Sequence, residues 1–319
     1  MIFEDKIKKI KFMDLFSVIS IFMTIIIFTV LNRNFLGPIN IKNILVDTAP
    51  LLIVATGVTF VLLIGSVDLS VGSIASCACV FSGMGYPIFG NKVFLLILLF
   101  GVLAGAINGI LFVVLKIPTF VVTLCTMNIW ACVALLVSNG RPTGIPIEIW
   151  GSLKWSKVHF GIIPILFILS LLFLAFFYII QSKTKLGKSI FAVGSNQNAA
   201  RMMGINVSIV KMWPFVFSGI GAALGGFFYT IILKSSLPTV GSSLTLMAMA
   251  SVALGGTPLT GGKGSVLRTL LGVLLVIIIQ NGLNVIAVDA FWQQIVFGAI
   301  VIFAVYLNTD KSSRSIIVK

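Results

Sequence analysis

Charge is what this chain of 319 residues has least of: Asp and Glu number 8, and all charged residues together make up 9%. A soluble globular domain carries about a quarter of its residues as Asp, Glu, Lys or Arg. A soluble monomer is therefore excluded by the surface it would have to show to water. Histidine occurs once, at His159, and there are four cysteines, Cys77, Cys79, Cys125 and Cys132, with no C-x-x-C pair. The cysteines all fall in apolar stretches, where they read as packing groups. Neither H-E-x-x-H nor G-x-S-x-G occurs, so the common zinc-hydrolase and serine-hydrolase arrangements are excluded. Gly187-Lys188-Ser189 has the ending of a phosphate loop, but Ser182 stands where the first glycine of G-x-x-x-x-G-K-[ST] is required. No enzyme, no bound cofactor and no ATP site of its own are expected.

What the chain does have is apolar length. Hydrophobic residues make up 59%, and the mean hydropathy is +1.17. A helix crossing a hydrocarbon core of ~30 Å needs about 20 mostly apolar residues. That requirement predicts an all-α integral membrane protein, one polytopic domain over residues 1–319, with about ten crossings. They are Leu15 to Val30, Ile44 to Ile64, Val71 to Phe89, Val93 to Leu115, Thr119 to Val137, Gly161 to Ile180, Met212 to Leu233, Ser235 to Leu254, Val266 to Val288 and Phe291 to Leu307. Ser235 to Leu254 is the weakest, because its apolar part begins only at Leu244.

The basic residues orient these spans. Cytoplasmic loops retain Lys and Arg, and placing both termini inside puts 15 of the 22 basic residues on the cytoplasmic side. A re-entrant eighth span would abolish that asymmetry, so charge favours a true crossing. The net charge of +14 is spread along membrane edges without interleaved aromatics, which points to anionic lipid and away from nucleic acid.

The exceptions to the apolar pattern are few. Asp68, in GSVDLSVGS, is either the cap of a helix starting at Leu69 or part of a broken helix beside a transport path. Ser70 shares that break. The stretch Leu254 to Ser265, LGGTPLTGGKGS, is a second glycine-rich break whose GGTPLT is similar to GSVDLS. Gly101, Gly105 and Gly109, and Gly221, Ala222, Gly225 and Gly226, put small residues at the four-residue spacing that lets membrane helices approach closely. Asn108, Thr123, Asn128, Gln280, Asn281 and Asn284 are polar groups that either join helices or line a path for a hydroxyl-rich solute. The one long polar segment, Thr184 to Val207, reads as a structured cytoplasmic loop that receives force from a partner.

Together, ATGVTFVLLIGSVDLSVGS (55–73), NGILFVVLKIPTFVVTLCTM (108–127), LGKSIFAVGSNQNAARMMGINVSIVK (186–211), SGIGAALGG (218–226), MAMASVALGGTPLTGGKGSVLRTLLG (247–272) and QNGLNV (280–285) resemble the permease subunits of ABC importers for ribose, xylose, galactose and similar sugars. The permease for a furanosyl signalling molecule belongs to the same group. The resemblance runs from about Ala49 to Leu307. It implies the ABC importer permease fold in a bacterial cytoplasmic membrane. It also implies a second permease chain, identical or related, a separate ABC ATPase subunit and an extracytoplasmic sugar-binding protein. In that light the loop of about 182–211 corresponds to a coupling helix, with Gly187, Gly194 and Gly204 bracketing it, Asn196 capping it, and Ala199 and Ala200 forming a small docking face. Asp68, Ser70, Asn108, Thr123 and Asn281 are the candidates for the translocation path or helix break. The sequence departs from the family pattern at Ser66, where a second glycine is usual, and at Trp130-Ala131, where Arg-Gly is usual. An ion-coupled secondary transporter, or an ABC permease for a nucleoside or branched amino acid, are the alternatives to a monosaccharide permease.

Overall fold

In a computed structural model, residues 18–308 are described and form a bundle of helices with two very short antiparallel strand pairs, one of them a hairpin. In chain order the helices are α1 (Val18–Leu31), α2 (Pro38–Leu63), α3 (Val71–Phe89), α4 (Val93–Val114), α5 (Thr119–Val137), α6 (Ile165–Lys183), α7 (Lys185–Ser195), α8 (Gln197–Met202), α9 (Val207–Leu233), α10 (Leu244–Leu254), α11 (Val266–Val285) and α12 (Ala290–Asn308). Strand Thr143–Gly144 pairs antiparallel with Ser235–Ser236, and His159–Phe160 with Ile163–Pro164. The basic residues Lys6 to Lys11, Lys311, Arg314 and Lys319, on which the placement of the termini rests, lie outside the described residues.

Among the described residues, six helical runs are long and apolar enough to cross a membrane: α2, the joined α3 and α4 (Val71–Val114), α5, α6, α9 and α11. The sequence expectation of about ten spans is met only in this coarser form, since α1, α10 and part of α12 are shorter apolar helices. Boundaries move for local reasons. α2 begins at Pro38, six residues before the predicted start, because proline at the first helical position needs no N–H partner and fixes φ for the helix. α6 starts at Ile165 and not at Gly161, since His159 to Pro164 form a hairpin.

The span expected at Ser235 to Leu254 is helical only in its second half. Its first half is a two-residue strand followed by turns over 238–243, and it runs along α3, with Ser236 against Gly83 and Gly241 against Gly72. Eleven residues of α3 separate those contacts, about 16 Å at 1.5 Å per residue. α10 adds 11 residues, again about 16 Å, and ends where Gly255 meets the backbone of Arg268 on α11. The non-helical half and the helical half together are long enough for a hydrocarbon core of ~30 Å. Its backbone is satisfied by its own turns, the Val240 N–H on Leu237 O and the Ser242 N–H on Thr239 O, and by neighbours, as it must be where water is scarce. The Gly241 N–H donates to Ser76 Oγ at 2.9 Å and the Gly72 N–H to Thr245 Oγ1 at 3.1 Å.

The bundle is inside-out in composition. On α4, Leu95, Leu99 and Leu103 are more than half exposed, while Gly101, Gly105 and Gly109 face α9. In lipid an exposed leucine costs nothing, and close approach of small residues supplies the packing. Gly105 lies on the Phe215 carbonyl, Gly219 of α9 lies on the Gly101 carbonyl, and Gly221 and Gly226 seat α9 on Ile53 of α2 and Ala75 of α3. α9 is thus the shared wall of α2, α3 and α4, and the glycine stripes singled out in the sequence are its packing faces. Gly105→Leu is expected to lower the yield and melting temperature of the detergent-purified chain sharply, because even a Cβ there collides with backbone and overpacking costs about 1–3 kcal/mol or more. Gly151→Ala, with nothing within 4 Å of the new carbon, should leave both unchanged.

Candidate functional site

Two features meet inside this bundle, a polar break in front of α3 and the α7–α8 segment. α2 ends at Leu63 and α3 begins only at Val71; the Gly65 and Ser66 N–H groups turn back to the Leu62 and Val61 carbonyls of α2, and the groups of the break beyond them need other partners. Gly65 makes the turn with φ +70°, a conformation that costs glycine nothing. Asp68 is fully buried. Its Oδ1 accepts the Ser70 N–H at 3.0 Å and the Ser70 hydroxyl at 2.6 Å, and its Oδ2 accepts the Ser218 hydroxyl of α9 at 2.7 Å.

The helix therefore starts two residues later than a cap at Asp68 for Leu69 would require. Asp68 ties the break to α9 in front of α3. Asn108 of α4, also fully buried, donates through Nδ2 to Ser70 Oγ at 2.8 Å. Thr123 of α5 donates to Thr119 O at 2.9 Å and lies 3.4 Å from Val67 O. Four of the five candidate residues for the path or break, Asp68, Ser70, Asn108 and Thr123, are thus brought together.

The fifth, Asn281, is elsewhere. It exchanges two hydrogen bonds with Asn40, at 2.8 and 3.0 Å, which join the far end of α11 to the start of α2. Next to it is a groove of about 450 Å³ whose lining includes Asn43, Asn284 and Asp47. Asp47 is an acid within α2 that the sequence reading passed over. Its signal was available, since it falls inside the predicted span from Ile44. Ser218 was also passed over as a polar group, hidden in a glycine-rich packing motif.

The predicted coupling segment is two helices rather than one. Thr184 caps α7 by accepting the Gly187 N–H at 3.1 Å, and Asn196 caps α8 by accepting the Ala199 N–H at 3.0 Å, as its position suggested. Gly187 lets α7 fold back on the end of α6, where a Cβ would meet the Ile180 and Gln181 carbonyls. Gly204, with φ +79°, ends α8, and the Ile205 N–H returns to the Ala200 carbonyl. Ala199 is exposed, but Ala200 is fully buried. The outward face of α8 is therefore Ala199 with Met202, and Met203 follows it; both methionines are strongly exposed. Ala200 packs the segment onto the bundle.

Gly194, near the end of α7, rests on the Leu63 carbonyl and within 2.8 Å, measured from an added Cβ, of the Gly262 nitrogen. The Gly262 N–H donates to that same Leu63 carbonyl at 2.8 Å, and Ser195 Oγ donates to Gly262 O at 3.3 Å. Gly65 and Gly261 lie backbone to backbone. The two glycine-rich breaks that look alike in sequence are thus in contact, and the end of α7 sits on their junction. No side chain beyond hydrogen separates the α7 backbone from the break that leads to Asp68.

Helices long enough for a bilayer, broken where buried polar groups gather, with a polar helix pair seated on the breaks, define a polytopic membrane transport protein. The chain belongs to the family described as branched-chain amino acid transport system / permease component, which matches residues 40–305. It is 36% identical over 299 residues to the ribose import permease protein RbsC of Bacillus subtilis, covering 92% of each chain. It is 33% identical to the protein of that name in Escherichia coli K12, over 92% of this chain and 93% of the relative. To the galactose/methyl galactoside import permease protein MglC of Escherichia coli K12 it is 30% identical, over 94% of each. No solved structure matches. The family is a transport component and not an enzyme.

Proposed function

We propose that this chain is the membrane-crossing permease subunit of an ATP-binding-cassette importer that moves a monosaccharide across the bacterial cytoplasmic membrane. The observation that carries the proposal is the seat of α7 on the two glycine-rich breaks, in a chain whose relatives are named as ribose and galactose permeases. A separate ATPase would grip α7 and α8 through Ala199 and the exposed methionines, a binding protein would deliver the sugar, and a second permease chain would complete the path. α1, α10 with the turn-rich stretch before it, and α12 join the longer helices to make ten crossings, with both termini in the cytoplasm.

The complete importer reconstituted with its ATPase and binding protein should accumulate labelled D-ribose or D-galactose only with ATP. The isolated chain should hydrolyse none, and stoichiometric ATP binding to it would overturn the division of labour. Orientation is checked separately. In a cysteine-free background, Lys157→Cys should label with an impermeant thiol reagent in intact cells and Lys188→Cys should not; the reverse pattern would invert the topology.

A further inference from the structure

Between α3, α5 and the turns before α10 lies a pocket of about 240 Å³. Six polar side chains face it: Ser73, Ser76, Asn128, Thr239, Ser242 and Thr245. They divide into two sets. Ser73, Ser76 and Thr245 are committed to backbone, through Ser70 O, the Gly241 N–H and the Gly72 N–H, and so build the wall. The hydroxyls of Thr239 and Ser242 make no hydrogen bond to the described residues, and Asn128 uses only its Nδ2, on Leu124 O of its own helix. Those three groups keep donors and acceptors to spare.

Among the described residues no charged side chain lines the pocket. The nearby carboxylate, Asp68, is fully buried and has both oxygens occupied by Ser70 and Ser218. The family description names branched-chain amino acids, and an amino acid at neutral pH carries an ammonium and a carboxylate. Taking both out of water demands a charged or densely hydrogen-bonded partner for each. This lining offers neither. Spare hydroxyls and an amide oxygen are instead the groups that exchange hydrogen bonds with alcohols, donating and accepting as the ligand turns. At a share of ~30 Å³ per water molecule, the pocket has room for about eight waters, the scale of one sugar ring.

We propose that this pocket is where the solute passes α3 and α10, and that its uncharged lining admits a neutral polyhydroxylated ring while turning away a zwitterionic amino acid. The proposal rests on the permease function given above and deepens it by assigning selectivity to the membrane subunit itself.

The test uses Ala131→Cys, at the pocket lining, in a chain where exposed Cys125 and Cys132 are alanine. Purified full-length chain in lipid nanodiscs is labelled with a maleimide, so that no binding protein contributes to selectivity. Millimolar D-ribose or D-galactose should slow labelling at least fivefold, and L-leucine should not. Adding Asn128→Leu and Thr239→Val should remove the protection, whereas Asn128→Ser should keep it. Protection by leucine, or sugar protection that survives the double substitution, would overturn the pocket assignment. So would absence of protection by the very sugar that the wild-type importer takes up. Should sugar protection hold while the complete importer accumulates no sugar, the pocket stands and the importer reading falls.

Discussion

Gly194→Ala is expected to abolish sugar uptake by the assembled importer, by 100-fold or more, while the chain still inserts and still co-purifies with its ATPase. The new methyl group would overlap the Leu63 carbonyl oxygen and press on the Gly262 nitrogen. Both are backbone atoms, which cannot turn aside as a side chain would. α7 must then lift from the junction, and about 2.7 kcal/mol of misfit is already a 100-fold change in the population of the seated arrangement. The exposed groups proposed to meet the ATPase, Ala199 and Met202, are on a different helix, so docking is expected to survive. ATP hydrolysis should continue without transport, the signature of a lost mechanical link. Ser195→Ala removes only the 3.3 Å hydrogen bond to Gly262 O, worth about 0.5–1.5 kcal/mol, and should slow uptake several-fold at most. If Gly194→Ala transports normally, force passes elsewhere.

At Asp68 the two oxygens do different things, and that makes the side chain separable from its charge. Asp68→Leu leaves the Ser70 N–H, the Ser70 hydroxyl and the Ser218 hydroxyl without their shared acceptor. Each buried polar group left without a partner costs roughly 1–3 kcal/mol, so this variant should lose most of its folded yield and nearly all uptake. Asp68→Asn keeps one oxygen for both Ser70 groups, and its Nδ2 can donate to Ser218 Oγ, whose own hydrogen then turns to the helix backbone. Uptake should stay within about fivefold of wild type. An ion-coupled transporter would behave in the opposite way, since removing the charge would stop it while the fold persisted. Uptake measured at matched expression separates the two.

Much of this arrangement was legible before any coordinates. Lipid as the solvent follows from so few charges among so many apolar residues. The bounds of α3, α4 and α5 follow from glycine, proline and polar interruptions within one or two residues. The cap at Asn196 follows from its place before a short polar helix. The polar cluster at Asp68, Ser70, Asn108 and Thr123 could be named as candidates from chemistry alone. Asp47 and Ser218 were equally present in the sequence but sat inside patterns that read as span and packing motif.

What the chain's order of residues determined by itself was the medium, the helical nature of almost every element, the sites of the breaks and the family. Which surfaces meet was decided only by the tertiary structure. The α9 partner of Asp68 lies 150 positions along the chain, and Gly262 reaches Ser195 across 67. Asn281 pairs with Asn40, away from the cluster at Asp68, and Ala200 packs inward while Ala199 stays exposed. In water, an apolar stripe tells which face of a helix is buried. In lipid both faces are apolar, packing rests on close approach of small groups, and the pattern along one helix carries no record of which neighbour it meets.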